Sequence, residues 1–214
     1  MRGTRRGRRG GPIRLPPASP GMRIGLYGGS FDPPHPGHRH VALMALKRLG
    51  LDRVWWVVTP GNPLKDVSRL AAGAARQEAT RRLARHPRFA VTGVETELAV
   101  VFTVETIRFL VRRRRDLRFV WIMGADSLAS FHRWRHWRDI AELVPMAVVD
   151  RPGWTLRAIA SPAARGLDPF RVPERFASTL PARPPPAWVF LHGPRSKLSS
   201  TSFRNKLLQS LDQH

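Results

Sequence analysis

The chain has 214 residues, 42% of them hydrophobic, which is enough for one sizeable core and excludes a disordered protein. It contains no cysteine, which excludes a disulfide framework and any thiolate metal site. The net charge of +22 is that of a nucleic-acid binder, but Lys47, Lys65, Lys197 and Lys206 are the only lysines among 37 basic residues. Such a bias toward arginine, spread along the whole chain, reads as coding drift. An anionic substrate would still be attracted by the field.

In chain order, residues 1–21 carry six arginines, no acidic residue and much Gly and Pro, and are expected to be a disordered basic tail or start-site extension. A single domain is expected over 22–214, beginning at Met22 with an apolar strand at 22–27. A helix over 37–49 follows, with Val41, Ala42, Ala45, Leu46 and Leu49 on one face. Residues 53–59 form a continuous apolar strand, as a sheet covered on both faces requires. The pattern continues with a helix over 73–86, a strand at 89–92, a helix over 103–114, a strand at 118–123, a helix over 134–143 and a strand at 144–149. Residues 151–187, rich in Pro and Arg, carry no readable pattern. A strand at 188–192 and a helix over 201–211 close the chain. No apolar run approaches the roughly 20 residues that span a bilayer, so a cytoplasmic protein without a membrane partner is expected.

Alternating strands and helices predict an α/β, doubly wound parallel sheet. Ligands of such sheets bind outside the carboxyl ends of the strands. Loops at 28–38, 62–65, 124–126 and 199–204 fall there. In the first, Gly28, Gly29, Ser30, Phe31, Gly37 and two histidines, His35 and His38, lie between a strand and a helix. Backbone N–H groups and a helix N-terminus hold phosphate well, and histidines three apart share one helix face. Zinc would need a further ligand, and none stands out nearby. At the far end, Ser199 or Ser200 can cap the last helix, Thr201 follows them, and Arg204 lies one turn in, where a guanidinium can meet a phosphate. Asp126 follows a strand, where a carboxylate can accept bonds from ribose hydroxyls. Trp134 offers a flat aromatic face, and Lys65 a point charge on its loop.

Gly28 to His38 resembles the His-x-Gly-His signature of the nucleotidylyltransferase superfamily, and Ser199-Ser200-Thr201 with Arg204 resembles that superfamily's second motif. Pro63-Leu64-Lys65, Phe102-Thr103, Gly124-Ala125-Asp126-Ser127-Leu128, Phe131-His132-Arg133-Trp134, Trp137 and Arg151-Pro152-Gly153 resemble the bacterial nicotinate-nucleotide adenylyltransferase family. Many members carry histidine where this chain has Leu64, which leaves Lys65 as the only cation of that motif.

The resemblance implies a Rossmann-like nucleotidylyltransferase fold. It implies adenylyl transfer from ATP to nicotinate mononucleotide, a step of NAD biosynthesis that releases pyrophosphate. His38, with His35 beside it, would stabilise charge on the α-phosphate and leaving group. Arg204, Lys65 and the last helix would steady the pyrophosphate. Gly124 and Asp126 would hold ribose and adenosine. Thr103 would bind the nicotinate carboxylate, Trp134 would stack on the ring, and Arg151 would line the same pocket. Mg²⁺ would arrive with ATP, with no metal site of the protein's own. Three alternatives stay open: nicotinamide mononucleotide as acceptor, phosphopantetheine as acceptor, or a basic nucleic-acid-binding protein on the same fold. Phosphopantetheine enzymes generally show threonine at the His35 position and lack the Asp126 and Trp134 block. Homo-oligomerisation is also left open.

Overall fold

The structure, a computed structural model, describes residues 13–60 and 71–193. Within these, six strands form one parallel sheet: β1 (Arg23–Gly29), β2 (Arg53–Val58), β3 (Phe89–Thr92), β4 (Arg118–Gly124), β5 (Met146–Val149) and β6 (Trp188–Leu191). Their order is β3-β2-β1-β4-β5-β6. This is a doubly wound, Rossmann-like sheet, and its order reverses between β1 and β4. There Tyr27 of β1 stands opposite Ile122 of β4 on one side and Trp56 of β2 on the other.

The strands are apolar on both faces, as the continuous hydrophobic runs predict. Alternate residues go to separate cores. Ile24, Leu26, Trp55, Trp121, Met123, Met146, Val148, Trp188 and Phe190 enter one core. Tyr27, Val54, Trp56, Val120, Ile122, Val149 and Leu191 enter the other. The first core is covered by α4 (Thr103–Arg113), α5 (Ala125–Phe131), α6 (Trp137–Leu143), α7 (Thr155–Ile159) and α8 (Pro162–Gly166). The second is covered mainly by α1 (Pro36–Arg48), through Val41, Ala42, Ala45 and Leu46, and by a 3₁₀ segment, Glu174–Ala182, through Ala177 and Leu180. Helix α2 (Gly73–Leu83) and the single-turn α3 (Val94–Leu98) flank β2 and β3.

Several expectations are adjusted. The helix expected over 134–143 begins at Trp137, and α5 occupies 125–131 ahead of it. The break lies at His136, whose φ of 53° is left-handed and cannot continue a helix. Helix α3, absent from the sequence reading, is five residues long and stops at Ala99, also left-handed at φ 53°. Residues 151–187 form α7, α8 and 3₁₀ turns that supply Ala158, Ala163 and Ala164 to one core and Val172, Ala177 and Leu180 to the other. Residues 13–21, placed in the expected tail, lie along the body. Leu15 and Ala18 pack on the first core, and the Ala18 carbonyl accepts from Arg114. The loop at 62–65, the helix at 201–211 and residues 1–12 lie outside the described residues.

Candidate active site

The turn after β1 carries the two histidines. His35 is the N-cap of α1, and Pro36, with its preset φ and missing N–H, suits the first helical position. The Gly37 N–H donates to His35 Nδ1 at 3.1 Å, and the His35 N–H donates to His38 Nδ1 at 3.2 Å. This is a capping box built from two imidazoles. The rings lie 3.8 Å apart, tilted by 36°. Because each Nδ1 accepts a backbone proton, the neutral rings carry their own proton on Nε2. His35 is fully buried, whereas His38 is half-buried. Burial, reinforced by the nearby Arg151 charge, lowers the His35 pKa to about 4, so His35 is neutral at physiological pH.

The paired glycines have a packing reason. A Cβ on Gly28 would lie 2.3 Å from the Trp121 indole, so the missing side chain lets Trp121 lie across β1. A Cβ on Gly29 would press on the Phe31 ring at 3.0 Å. Phe31 is buried against Tyr27, Trp56 and His38, which leaves only its backbone to meet a ligand. Its φ of 46° is left-handed, an unusual conformation for a bulky residue.

Across the switch point, the end of β4 supplies Asp126 and the end of β5 supplies Arg151. Arg151 Nη1 lies 3.4 Å from Asp126 Oδ2. The second Asp126 oxygen, Oδ1, is buried and accepts from no described residue. Gly124 is required beside them, because a Cβ there would fall 2.4 Å from Asp126 Oδ1 and 2.9 Å from Arg151 Nε. The Arg151 loop is held by Asp150, whose Oδ1 accepts from the Arg151 N–H at 2.8 Å and from Thr155 Oγ1 at 2.7 Å. Burial pushes the Tyr27 hydroxyl up to about 12, although the Arg151 charge opposes this. Arg151, Asp126, Tyr27 and His35 thus form one electrostatic cluster at the carboxyl ends of β1, β4 and β5.

Thr103 opens α4, and Trp134 lies on the turn between α5 and α6. Thr103 is half-buried at the first turn of α4, where Glu105 accepts from the Phe102 N–H at 3.3 Å. The Arg135 guanidinium sits 4.8 Å over the Phe102 ring, which ties the start of α4 to the turn carrying Trp134. Trp134 is half-buried, edge-on to Phe131 at 5.4 Å and to Trp121 at 6.4 Å. Trp121 in turn covers Gly28, so a packed aromatic path joins Trp134 to the histidine turn. No group of three or more His, Asp or Glu among the described residues could hold a metal ion.

The profile of the cytidylyltransferase-like family matches residues 26–206. Over 185 residues the chain is 58% identical to a protein of Methylorubrum extorquens that carries the name probable nicotinate-nucleotide adenylyltransferase, covering 86% of this chain and all of the relative. Proteins of the same name from Rhizobium meliloti and Brucella suis are 54% and 50% identical, over 86% and 88% of this chain and 98% and 97% of theirs.

The chain belongs to the nicotinate-nucleotide adenylyltransferase family.

Its fold agrees with the nicotinic acid mononucleotide adenylyltransferase of Plasmodium falciparum. That enzyme, solved with APC and with NaAD, superposes with TM-scores of 0.62 and 0.64 at 14% identity, over 86% of this chain and 83% of the other. Within this nicotinate-nucleotide adenylyltransferase fold, Gly28, Gly29, Ser30, Phe31, His35, Gly37, His38, Gly124, Asp126 and Arg151 gather at the switch point. Trp134 packs on Trp121 and Phe131, and Thr103 stands at the start of α4. Lys65, Ser199, Ser200, Thr201 and Arg204 lie outside the described residues.

Two contributors were not read from the sequence. Tyr27 was counted as a strand residue only. Arg76 was one arginine of a polar helix, yet it is 3% exposed. A signal existed: Arg76, Thr80 and Ala84 recur at i, i+4 and i+8, which puts an arginine on the buried stripe of α2.

Proposed function

We propose that the protein transfers the adenylyl group of ATP to nicotinate mononucleotide, giving nicotinate adenine dinucleotide and pyrophosphate in NAD biosynthesis, in the cytoplasm. The observation that carries this is the His35–His38 turn facing the Asp126–Arg151 pair across the β1/β4 switch point. A turn suited to phosphate and a carboxylate oxygen that accepts from no described residue, side by side at the strand ends, suit a nucleotide bound there.

In this reading a phosphate oxygen of the mononucleotide attacks the α-phosphorus of ATP in line, and the bond to pyrophosphate breaks. The attacking phosphate, with a second pKa of about 6, is already ionised, so no strong general base is required. Catalysis then rests on positioning and charge stabilisation. His38 donates from Nε2 to the α-phosphate and leaving group. His35, behind it, holds the first turn in place. Lys65, Ser199, Ser200, Thr201 and Arg204 take the remaining phosphate charge. Asp126 Oδ1 accepts from a ribose hydroxyl of the adenosine. Trp134 and Thr103 receive the nicotinate ring and carboxylate, and Arg151 adds positive charge nearby. Mg²⁺ enters as part of the ATP substrate.

The test is pyrophosphate release from MgATP with nicotinate mononucleotide, nicotinamide mononucleotide or phosphopantetheine as acceptor. The nicotinate compound should be used most efficiently. Equal or better use of either other acceptor would overturn the assignment. Absence of transfer, together with salt-dependent binding to random DNA, would instead favour a nucleic-acid role.

A further inference from the structure

Arg76, on α2, is buried and donates to four backbone carbonyls. Nη1 reaches Ser30 O and Thr59 O, each at 2.7 Å; Nη2 reaches Pro60 O at 2.9 Å; and Nε reaches Ala71 O at 2.9 Å. Ser30 belongs to the histidine turn after β1, and Thr59 and Pro60 lead out of β2. One planar guanidinium therefore clamps two neighbouring strand exits, a task its fixed fork of donors can perform and an ammonium cannot.

Core packing alone does not call for arginine at this position. An apolar side chain on the same stripe would cover the sheet without the cost of burying a cation. Burial does lower the Arg76 pKa, with Asp32 opposing the shift. The arginine is therefore placed against a desolvation cost, and what it gains is control over the direction of loop carbonyls.

That control extends to the neighbouring donors. The peptide unit is planar, so its C=O and N–H point in opposite directions. Holding the Ser30 carbonyl toward Arg76 turns the Phe31 N–H to the opposite side. Phe31 is also the residue held at a left-handed φ, and its side chain is fixed in the core. The orientation of this peptide is thus set from both ends.

We propose that Arg76 is a positioning residue for the ATP polyphosphate, which it serves by fixing the Ser30–Phe31 peptide and the exit of β2 around the phosphate turn. The inference rests on the adenylyl-transfer reading for the identity of the phosphate, but not on the choice of acceptor.

The test compares the full-length wild type with Arg76→Lys and Arg76→Gln in pyrophosphate release, varying each substrate in turn. Both variants should lose roughly tenfold or more in kcat/KM for ATP, as misplaced positioning groups do, while KM for nicotinate mononucleotide stays within about threefold. The lysine variant keeps the charge, so its loss isolates geometry from electrostatics. Wild-type kcat/KM for ATP in Arg76→Lys, or a KM for nicotinate mononucleotide raised by about tenfold or more, would overturn the proposal. A readout on the wild type covers the case in which a variant fails to fold. In ¹⁵N-labelled protein, the Arg76 Nε–H resonance should shift on adding MgATP and stay put on adding nicotinate mononucleotide. No shift with MgATP overturns the proposal as well. A wild type that uses another acceptor defeats the functional reading alone, because the response to MgATP needs no acceptor.

Discussion

Arg151 and Asp126 face each other at 3.4 Å across the ends of β5 and β4, with only hydrogen at Gly124 between them and the strand. The pair is asymmetric: Asp126 Oδ2 meets the guanidinium, and the buried Oδ1 is left for another donor. Gly124→Ala would push a methyl into both side chains, at 2.4 Å from the carboxylate and 2.9 Å from Arg151 Nε. Steady-state kinetics should show kcat/KM for ATP reduced by roughly tenfold or more. Thermal unfolding should register an overpacking cost of about 1–3 kcal/mol. Unchanged kinetics would place nucleotide binding elsewhere.

His38→Ala removes a preorganised donor from the phosphate turn and a hydrogen-bond acceptor from the His35 N–H. Its kcat should fall by about 10² or more, the scale of one donor aimed at developing charge. Turnover near the wild type in a pyrophosphate-release assay would remove His38 from the chemistry.

His35 and Glu95 should tilt stability in opposite directions with pH. The folded His35 binds its proton only near pH 4, against 6.5 unfolded. Its contribution is present above pH 6.5 and is lost as pH falls through 4, because the unfolded chain takes up the proton first. Glu95 is buried, accepts from the Thr106 hydroxyl at 3.0 Å, and is pushed up to about 7 by burial, with the Thr106 hydroxyl opposing the shift. Its contribution is complete below pH 4.5 and is lost as pH rises through 7. Melting temperatures of His35→Asn, which retains a good N-cap, should therefore gain on the wild type as pH falls from 6.5 to 4. Those of Glu95→Gln should gain on it as pH rises from 4.5 to 8. A constant difference across either range would contradict the corresponding assignment.

Trp134 is packed on one side by Phe131 and Trp121 and is only half-buried, which suits a ring that also serves a ligand. Trp134→Leu should raise KM for nicotinate mononucleotide by about tenfold, the upper range of an aromatic stacking contact, and leave KM for ATP within about threefold. An equal effect on both substrates would assign Trp134 to the core alone.

Much of this protein follows from local order in the chain. Continuous apolar strands such as 53–58 state that the sheet is covered on both faces, and their alternation with helices states that it is parallel. The histidine turn was legible because it is built from neighbouring residues: glycines, a cap and the first turn of one helix. What the sequence could not decide depends on contacts distant along the chain. That β4 pairs with β1, bringing Asp126 and Arg151 opposite His35, is a matter of strand order. That Gly28 is small for Trp121, which lies 93 positions later, is a matter of packing across two strands. Arg76 looked like one more solvated arginine in a strongly basic chain. Only the fold shows that it is buried and donates to four backbone carbonyls at the exits of β1 and β2 and ahead of α2.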